Sequence, residues 1–179
     1  SYSYFMADLK VNTGSLTVTD PGVPFNAKFF GIVTVDAGAT LDAGTSSAYD
    51  LEFYGDVVNN GTISGSSSKI VMRCQNFINN SVVSANASMD TTTTISGAGS
   101  YTGSNMIINS SGNVSLANNI TFSPSNTFTV NNGGKLNPNS FIYTINSGTF
   151  YMYSGGTVMN SGTFRTQGTV SLNIRNGSS

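Results

Sequence analysis

The chain has 179 residues and a formal net charge of −1, and its charged fraction of 8% is about a third of that usual in globular proteins. His and Trp are absent, which excludes catalytic sites that need a His base, and the seven scattered Lys and Arg residues argue against nucleic-acid binding. Asn, Ser, Thr and Gly are abundant and no apolar run reaches membrane-spanning length, so we predict one all-β domain without a membrane span.

The first 30 residues are the least repetitive part of the chain. Residues 11–18 predict a strand pair around Thr13 and Gly14, and a turn follows at residues 20–24, where Pro21 and Pro24 exclude a central strand. We therefore expect residues 1–30 to form an N-terminal cap or an entering strand, and residues 31–179 to form a β-solenoid. The chain begins without Met or a signal-peptide pattern, which we interpret as a processed protein or a piece of a longer one.

Residues 51–65 are echoed by residues 70–85, with an offset of 19 residues at the front and 20 at the back. The matched positions are Leu51 and Ile70, Phe53 and Met72, Ile63 and Val83, and the pairs Asn59-Asn60 and Asn79-Asn80. A period of about 20, built from short alternating strands and Asn or Gly turns, is typical of a β-solenoid. We predict a parallel β-helix with rungs of about 20 residues, in which Glu52 and Tyr54 point outward over Val71 and Arg73. A β-sandwich or jelly roll is the alternative.

A smaller unit, Gly-Thr followed by an apolar residue, repeats at Gly148, Gly156, Gly162 and Gly168. It predicts a turn at Gly, an exposed Thr and a buried third residue. These threonines, with Thr91–Thr94, also raise an ice-binding interpretation, although Thr-x-Thr does not recur at a fixed rung period. The single cysteine, Cys74, lies on the apolar side of its strand, which predicts a buried, inert thiol.

Three stretches resemble the repeats of right-handed parallel β-helices in bacterial surface proteins: residues 60–65, 116–122 and 128–137. Similar repeats occur in autotransporter passenger domains and in cell-surface proteins of the Bacteroidota, and the resemblance covers residues 31–179. It implies a right-handed β-helix in an extracellular, adhesin-type protein. The fold also resembles that of pectate-lyase-like enzymes, and this second resemblance implies clustered acids, often with Ca²⁺, or Arg and Lys bases on one outer face.

One acidic cluster is close in sequence. It contains Asp50, Glu52 and Asp56, with Tyr54 among them, whereas Asp90 is the remaining acid beyond residue 56. We consider Asp50, Glu52, Tyr54 and Asp56 a candidate sugar-binding or metal-binding face, and a solvated rung edge is the alternative interpretation. The sequence predicts no catalytic residue, no cofactor and no dedicated metal site.

Charge divides along the chain. Residues 1–56 hold seven acids and two lysines, a net charge of −5, whereas residues 57–179 hold five bases and one acid, a net charge of +4. In a solenoid, sequence order is axial order, so this division predicts an acidic end and a basic end.

The two ends are the candidate assembly surfaces, because a parallel β-helix leaves unpaired strand edges there and no capping helix is predicted near residues 169–174. A head-to-tail contact that does not close forms a filament, and opposite charges favour it. The candidate residues are Tyr2, Tyr4, Phe5 and Asp8 at one end, and Leu172, Ile174 and Arg175 at the other.

These patterns predict a non-enzymatic, extracellular structural or adhesive protein, a subunit or segment of a surface fibre. The expected partner is a second copy or the continuation of a longer solenoid, with glycans as further candidates and no nucleic acid. The alternatives are a polysaccharide-binding or polysaccharide-lyase-like β-helix, and an ice-binding protein.

Overall fold

The computed structural model describes residues 2–18, 25–47, 49–158 and 162–175, and these residues form only strands and turns. The chain visits three sheets in turn, and every strand pairs in parallel with the strand three places along the chain. The predicted all-β parallel solenoid is therefore confirmed.

Within the described residues, sheets A, B and C contain nine, eight and eight strands. Sheet A contains β1 (Tyr2–Phe5), β4 (Phe25–Phe29), β7 (Tyr49–Phe53), β10 (Lys69–Met72), β13 (Asn86–Met89), β16 (Asn105–Ile108), β19 (Thr127–Val130), β22 (Gly148–Tyr153) and β25 (Val170–Arg175). Sheet B contains β2 (Leu9–Val11), β5 (Val33–Val35), β8 (Val57–Asn59), β11 (Asn76–Asn79), β14 (Thr92–Ser96), β17 (Asn113–Leu116), β20 (Lys135–Asn137) and β23 (Thr157–Val158). Sheet C contains β3 (Ser15–Thr17), β6 (Thr40–Asp42), β9 (Thr62–Ser64), β12 (Val82–Val83), β15 (Ser100–Tyr101), β18 (Ile120–Phe122), β21 (Ile142–Ile145) and β24 (Thr163–Thr166).

The register of the predicted repeat is confirmed. Leu51 pairs with Ile70 and Glu52 with Val71, and Ile63 pairs with Val83 on sheet C. The rungs average about 22 residues, slightly more than predicted, because the corner turns differ in length.

The core is a continuous column of apolar side chains between the three sheets. Each strand alternates inward apolar with outward polar residues, so the inward positions of successive rungs stack. The rings of Phe5, Phe29 and Phe53 illustrate this stacking, with centroid distances of 4.8 and 5.6 Å between neighbours. Cys74 is completely buried in this core, and burial raises the pKa of its thiol to about 12.

Val71 lies on the outward row of β10, yet it is 3% exposed. Its neighbours on the same face, Lys69 and Arg73, are long side chains whose aliphatic parts can cover an apolar surface. The predicted direction of Val71 is correct, and its low exposure is an addition that alternation alone did not indicate.

The segment predicted as a cap or an entering strand contributes β1, β2 and β3, which pair in parallel with β4, β5 and β6. The two strands predicted around Thr13 and Gly14 exist, but they do not pair with each other, because the chain turns a corner there and moves from sheet B to sheet C. The turn predicted at residues 20–24 lies outside the described residues.

Candidate functional site

Glu52 is the centre of a charged cluster on the outer face of sheet A, although it is 5% exposed. The Tyr54 hydroxyl donates a hydrogen bond to its Oε2 atom at 2.9 Å, and Asn26 Nδ2 donates to Oε1 at 3.4 Å. Lys28 Nζ and Arg73 Nε lie 3.8 and 3.3 Å from Oε2, the latter outside hydrogen-bond geometry. The carboxylate is therefore neutralised and hydrogen-bonded by the protein itself.

The cluster continues as a polar ladder along the solenoid axis. Arg73 Nη2 lies 3.1 Å from Asp90 Oδ2, and Asn109 Nδ2 donates to Asp90 Oδ1 at 2.6 Å. Asn131 Nδ2 donates in turn to Asn109 Oδ1 at 3.0 Å. Four successive rungs are thus connected through side chains on one row, which adds to the backbone hydrogen bonds between their strands.

Aromatic rings flank the cluster on its N-terminal side. Phe30 stacks on Tyr54 with a centroid distance of 4.6 Å, and Lys28 Nζ lies 4.6 Å from the centroid of the Tyr2 ring. Burial lowers the pKa of Lys28, but the charge of Glu52, aided by Tyr54 and Tyr4, outweighs that effect and raises the pKa above its ordinary value. Lys28 is thus held as a cation between the rings and the carboxylate.

Asp50 occupies a separate position on β7. Its Oδ2 atom lies 3.4 Å from Lys69 Nζ on the neighbouring strand. Burial raises the pKa of Asp50, Lys69 lowers it, and the nearby charges of Glu52 and Asp90 raise it, so that the net shift is upward.

Asp56 belongs to another part of the rung. It lies just before β8 of sheet B, where its carboxylate accepts hydrogen bonds from Asn76 N at 2.9 Å and from Asn76 Nδ2 at 2.8 Å. Of the four residues predicted to share a face, Glu52 and Tyr54 are in direct contact, Asp50 pairs with Lys69, and Asp56 links two rungs at the corner.

Sequence reasoning missed Lys28 as the central cation of this cluster. Residues 25–29 show no recognisable repeat of residues 49–53, so nothing in the sequence aligned Lys28 with Glu52. The parallel pairing of β4 with β7 makes them direct neighbours.

The N-terminal assembly residues are largely exposed. Tyr2, Tyr4 and Phe5 lie on β1, the outermost strand of sheet A among the described residues, and they are 58%, 60% and 40% exposed. Tyr2 and Tyr4 are on the outer face, whereas Phe5 ends the internal phenylalanine column. Asp8 accepts a hydrogen bond from Ile32 N at 2.7 Å, so it ties a corner to the next rung.

The C-terminal assembly residues are on β25. Leu172 and Ile174 pair with Phe150 and Met152, which places them on inward rows, and they are 55% and 62% exposed. The backbone of Arg175 pairs with Tyr153, while its side chain lies outside the described part of the structure.

No family, curated protein or solved structure matches the chain. Within the ranges that the structure describes, no group of three His, Cys, Asp or Glu residues is placed to hold a metal ion. The same residues contain no helix that could cross a membrane.

Proposed function

We propose that the chain is a non-enzymatic, extracellular structural or adhesive protein whose solenoid is extended at its ends, by a second copy or by further rungs, into a surface fibre. An adhesin-type or autotransporter-type role at the cell surface is part of this proposal. It is supported by the low charge and by the Asn-, Ser- and Thr-rich composition.

One observation carries the proposal, namely where the large apolar side chains are exposed. Among the described residues, all of them lie in residues 2–32 or 153–174, and the rungs between these segments expose none. They are Tyr2, Tyr4, Phe5, Met6, Leu16, Phe30 and Ile32 in the first segment, and Tyr153, Phe164, Leu172 and Ile174 in the second. Clustered apolar exposure of this kind marks interaction surfaces.

The position of these residues on the rungs favours stacking over another mode of contact. Phe5, Leu172 and Ile174 occupy inward rows that are fully buried in the middle of the solenoid. A further rung on either edge would bury them as Phe29 and Phe53 are buried, and it would also pair the open strand edges. Burial of one such side chain contributes about 1.5–3 kcal/mol.

Charge supports a defined polarity of assembly. The net charge of −5 in residues 1–56 and of +4 in residues 57–179 makes a head-to-tail contact favourable and a head-to-head contact unfavourable. A heterologous contact of this kind produces an open filament.

The proposal is tested by sedimentation velocity and electron microscopy at rising protein concentration in low salt. Wild type is expected to form linear oligomers that salt weakens. The double variant Leu172→Glu with Ile174→Glu places two carboxylates on the inward rows of β25 and is expected to remain monomeric.

The matched control is Ser171→Glu with Asn173→Glu, which adds the same charge to the same strand on its outward rows. This control should still assemble, at a somewhat higher concentration. A wild-type protein that stays monomeric at every concentration would contradict the proposal, as would equal loss of assembly in both double variants.

A further inference from the structure

The outer face of sheet C carries two rows of small polar side chains. The strands β6, β9, β12, β15, β18 and β21 each place one residue of each row on either side of an inward apolar residue. The first row is Thr40, Thr62, Val82, Ser100, Thr121 and Thr144. The second row is Asp42, Ser64, Ser84, Thr102, Ser123 and Asn146.

Nine of these twelve positions are Ser or Thr, and Asp42 is the one charged residue among them. The hydroxyls therefore form a two-dimensional lattice, with a repeat of about 4.8 Å between rungs and about 6.6 Å between rows. Threonine has a restricted χ1 angle, and the strands are fixed by the sheet, so the hydroxyl positions are set before any ligand binds.

Most of these hydroxyls have no intramolecular use. Ser64 donates to Asp42, and Ser123 accepts from Asn146 Nδ2, but no side-chain hydrogen bond among the described residues engages Thr62, Ser100 or Thr121. Their bonding capacity is available to a partner outside the protein.

Thr144 gives an independent indication. It is 7% exposed, and its side chain also has no hydrogen-bond partner in the part of the chain that the structure describes. Its hydroxyl oxygen is not among the buried oxygens without a partner, so it is that atom which reaches the surface of the face. Buried polar side chains are normally hydrogen-bonded, so an external partner would complete this one.

A ligand that contacts all of these hydroxyls together must itself be periodic in two dimensions. A sugar chain is a poorer match, because sugar recognition uses aromatic rings, amides and carboxylates, and the aromatic and most of the charged groups of this chain lie on sheet A or at the ends. The molecule with the chemistry of the sheet C lattice is water in an ordered array, which accepts and donates hydrogen bonds at every site.

We propose that the outer face of sheet C binds the surface of an ice crystal. Hydroxyls of the two rows take the place of surface water positions, and the threonine methyl groups pack between them. This proposal is independent of assembly at the ends, because sheet C runs along the side of the solenoid.

The test is the growth of single ice crystals in the presence of the purified protein, measured as the gap between melting and growth temperatures. Wild type is expected to open a gap and to shape the crystals. Thr62→Tyr and Thr121→Tyr, each of which raises a bulky ring above the flat lattice, should reduce the gap several-fold.

The matched control is Thr94→Tyr, which makes the same change at an outward threonine of sheet B. It should retain the wild-type gap, and circular dichroism should show the same melting temperature for all three variants. The proposal is overturned if wild type leaves crystal growth unchanged or if the control loses as much as the sheet C variants. It is also overturned if the sheet C variants abolish binding to insoluble cellulose or chitin while wild type has no effect on ice.

Discussion

Asn59 and Asn79 are buried side by side at the corner after their strands, and each one solves a hydrogen-bonding problem of the other. Asn59 Nδ2 donates to Asn79 Oδ1 at 2.8 Å and to the Val82 carbonyl at 3.0 Å, and Asn79 Nδ2 donates to the Ser100 carbonyl at 3.0 Å. Asn60 and Asn80 repeat the first contact at 2.8 Å in an exposed position. The same residue type therefore forms a buried ladder and a solvated one on adjacent positions.

This difference predicts unequal effects of the same substitution. Asn79→Ala removes the partner of Asn59 and leaves the Ser100 carbonyl unpaired, so we expect a loss of about 1–3 kcal/mol in the free energy of unfolding. Asn80→Ala, next to it, should change that free energy by less than about 0.5 kcal/mol. Urea unfolding followed by circular dichroism measures both, and equal losses would contradict the assignment of the buried ladder.

A second pair of variants concerns carboxylates. Glu52→Gln removes the charge that neutralises Lys28 and Arg73 in a nearly buried position, and we expect it to cost about 1–3 kcal/mol. Asp36→Asn breaks the more exposed pair with Lys10, 3.2 Å apart, and should cost less than about 1 kcal/mol. Thermal unfolding in low and high salt separates the two, because salt screens the exposed pair and leaves the cluster largely unaffected. Equal salt sensitivity would rule out the buried character of the Glu52 cluster.

At the scale of elements, the corners decide how closely successive rungs approach. Gly97, between β14 and β15, has a φ of +91°, and a Cβ atom added to it would collide with the carbonyl oxygen of Asn79 in the rung below. Gly38 has a similar φ of +79° but open space around it. Both corners need a left-handed residue, and one of them also needs the missing side chain.

Comparing the two glycines separates these requirements. Gly38→Ala should cost about 1 kcal/mol, the strain of a left-handed alanine. Gly97→Ala should cost about 1–3 kcal/mol more, because the two rungs must move apart. Unfolding free energies of the two variants provide the measurement, and equal values would show that rung spacing at this corner is not limiting.

At the scale of the whole molecule, each rung contacts its neighbours alone, so an inward residue is stabilising only when rungs cover both of its sides. Ile108 and Ile174 occupy the same inward row of sheet A through Val130 and Met152. Ile108 is fully buried and Ile174 is 62% exposed.

The substitution of Ala at both positions therefore tests the two ends against the middle. We expect Ile108→Ala to cost about 2–5 kcal/mol and Ile174→Ala less than about 0.5 kcal/mol in dilute, monomeric protein. Under assembly conditions Ile174→Ala should instead raise the concentration needed for oligomers. A large stability loss for the monomeric Ile174 variant would mean that this residue serves the fold and not a contact.

The sequence by itself determined the class of fold, the period and the register around residues 51–85, because apolar alternation and Asn turns are local signals that repeat almost in phase. It also placed Cys74 in the core and Glu52 and Tyr54 outside. These properties depend on alternation within one strand, which a single sequence displays.

The tertiary structure decided which residues from different rungs become neighbours. Corner turns of unequal length shift the spacing from 24 residues between Tyr2 and Asn26 to 17 between Lys69 and Asn86, so sequence distance does not give axial alignment. Lys28 thereby meets Glu52, and the threonines of sheet C, irregular in sequence, come into rows. The hydrogen bonds between strands fix that alignment, and they are formed only when the chain has closed each rung upon the last.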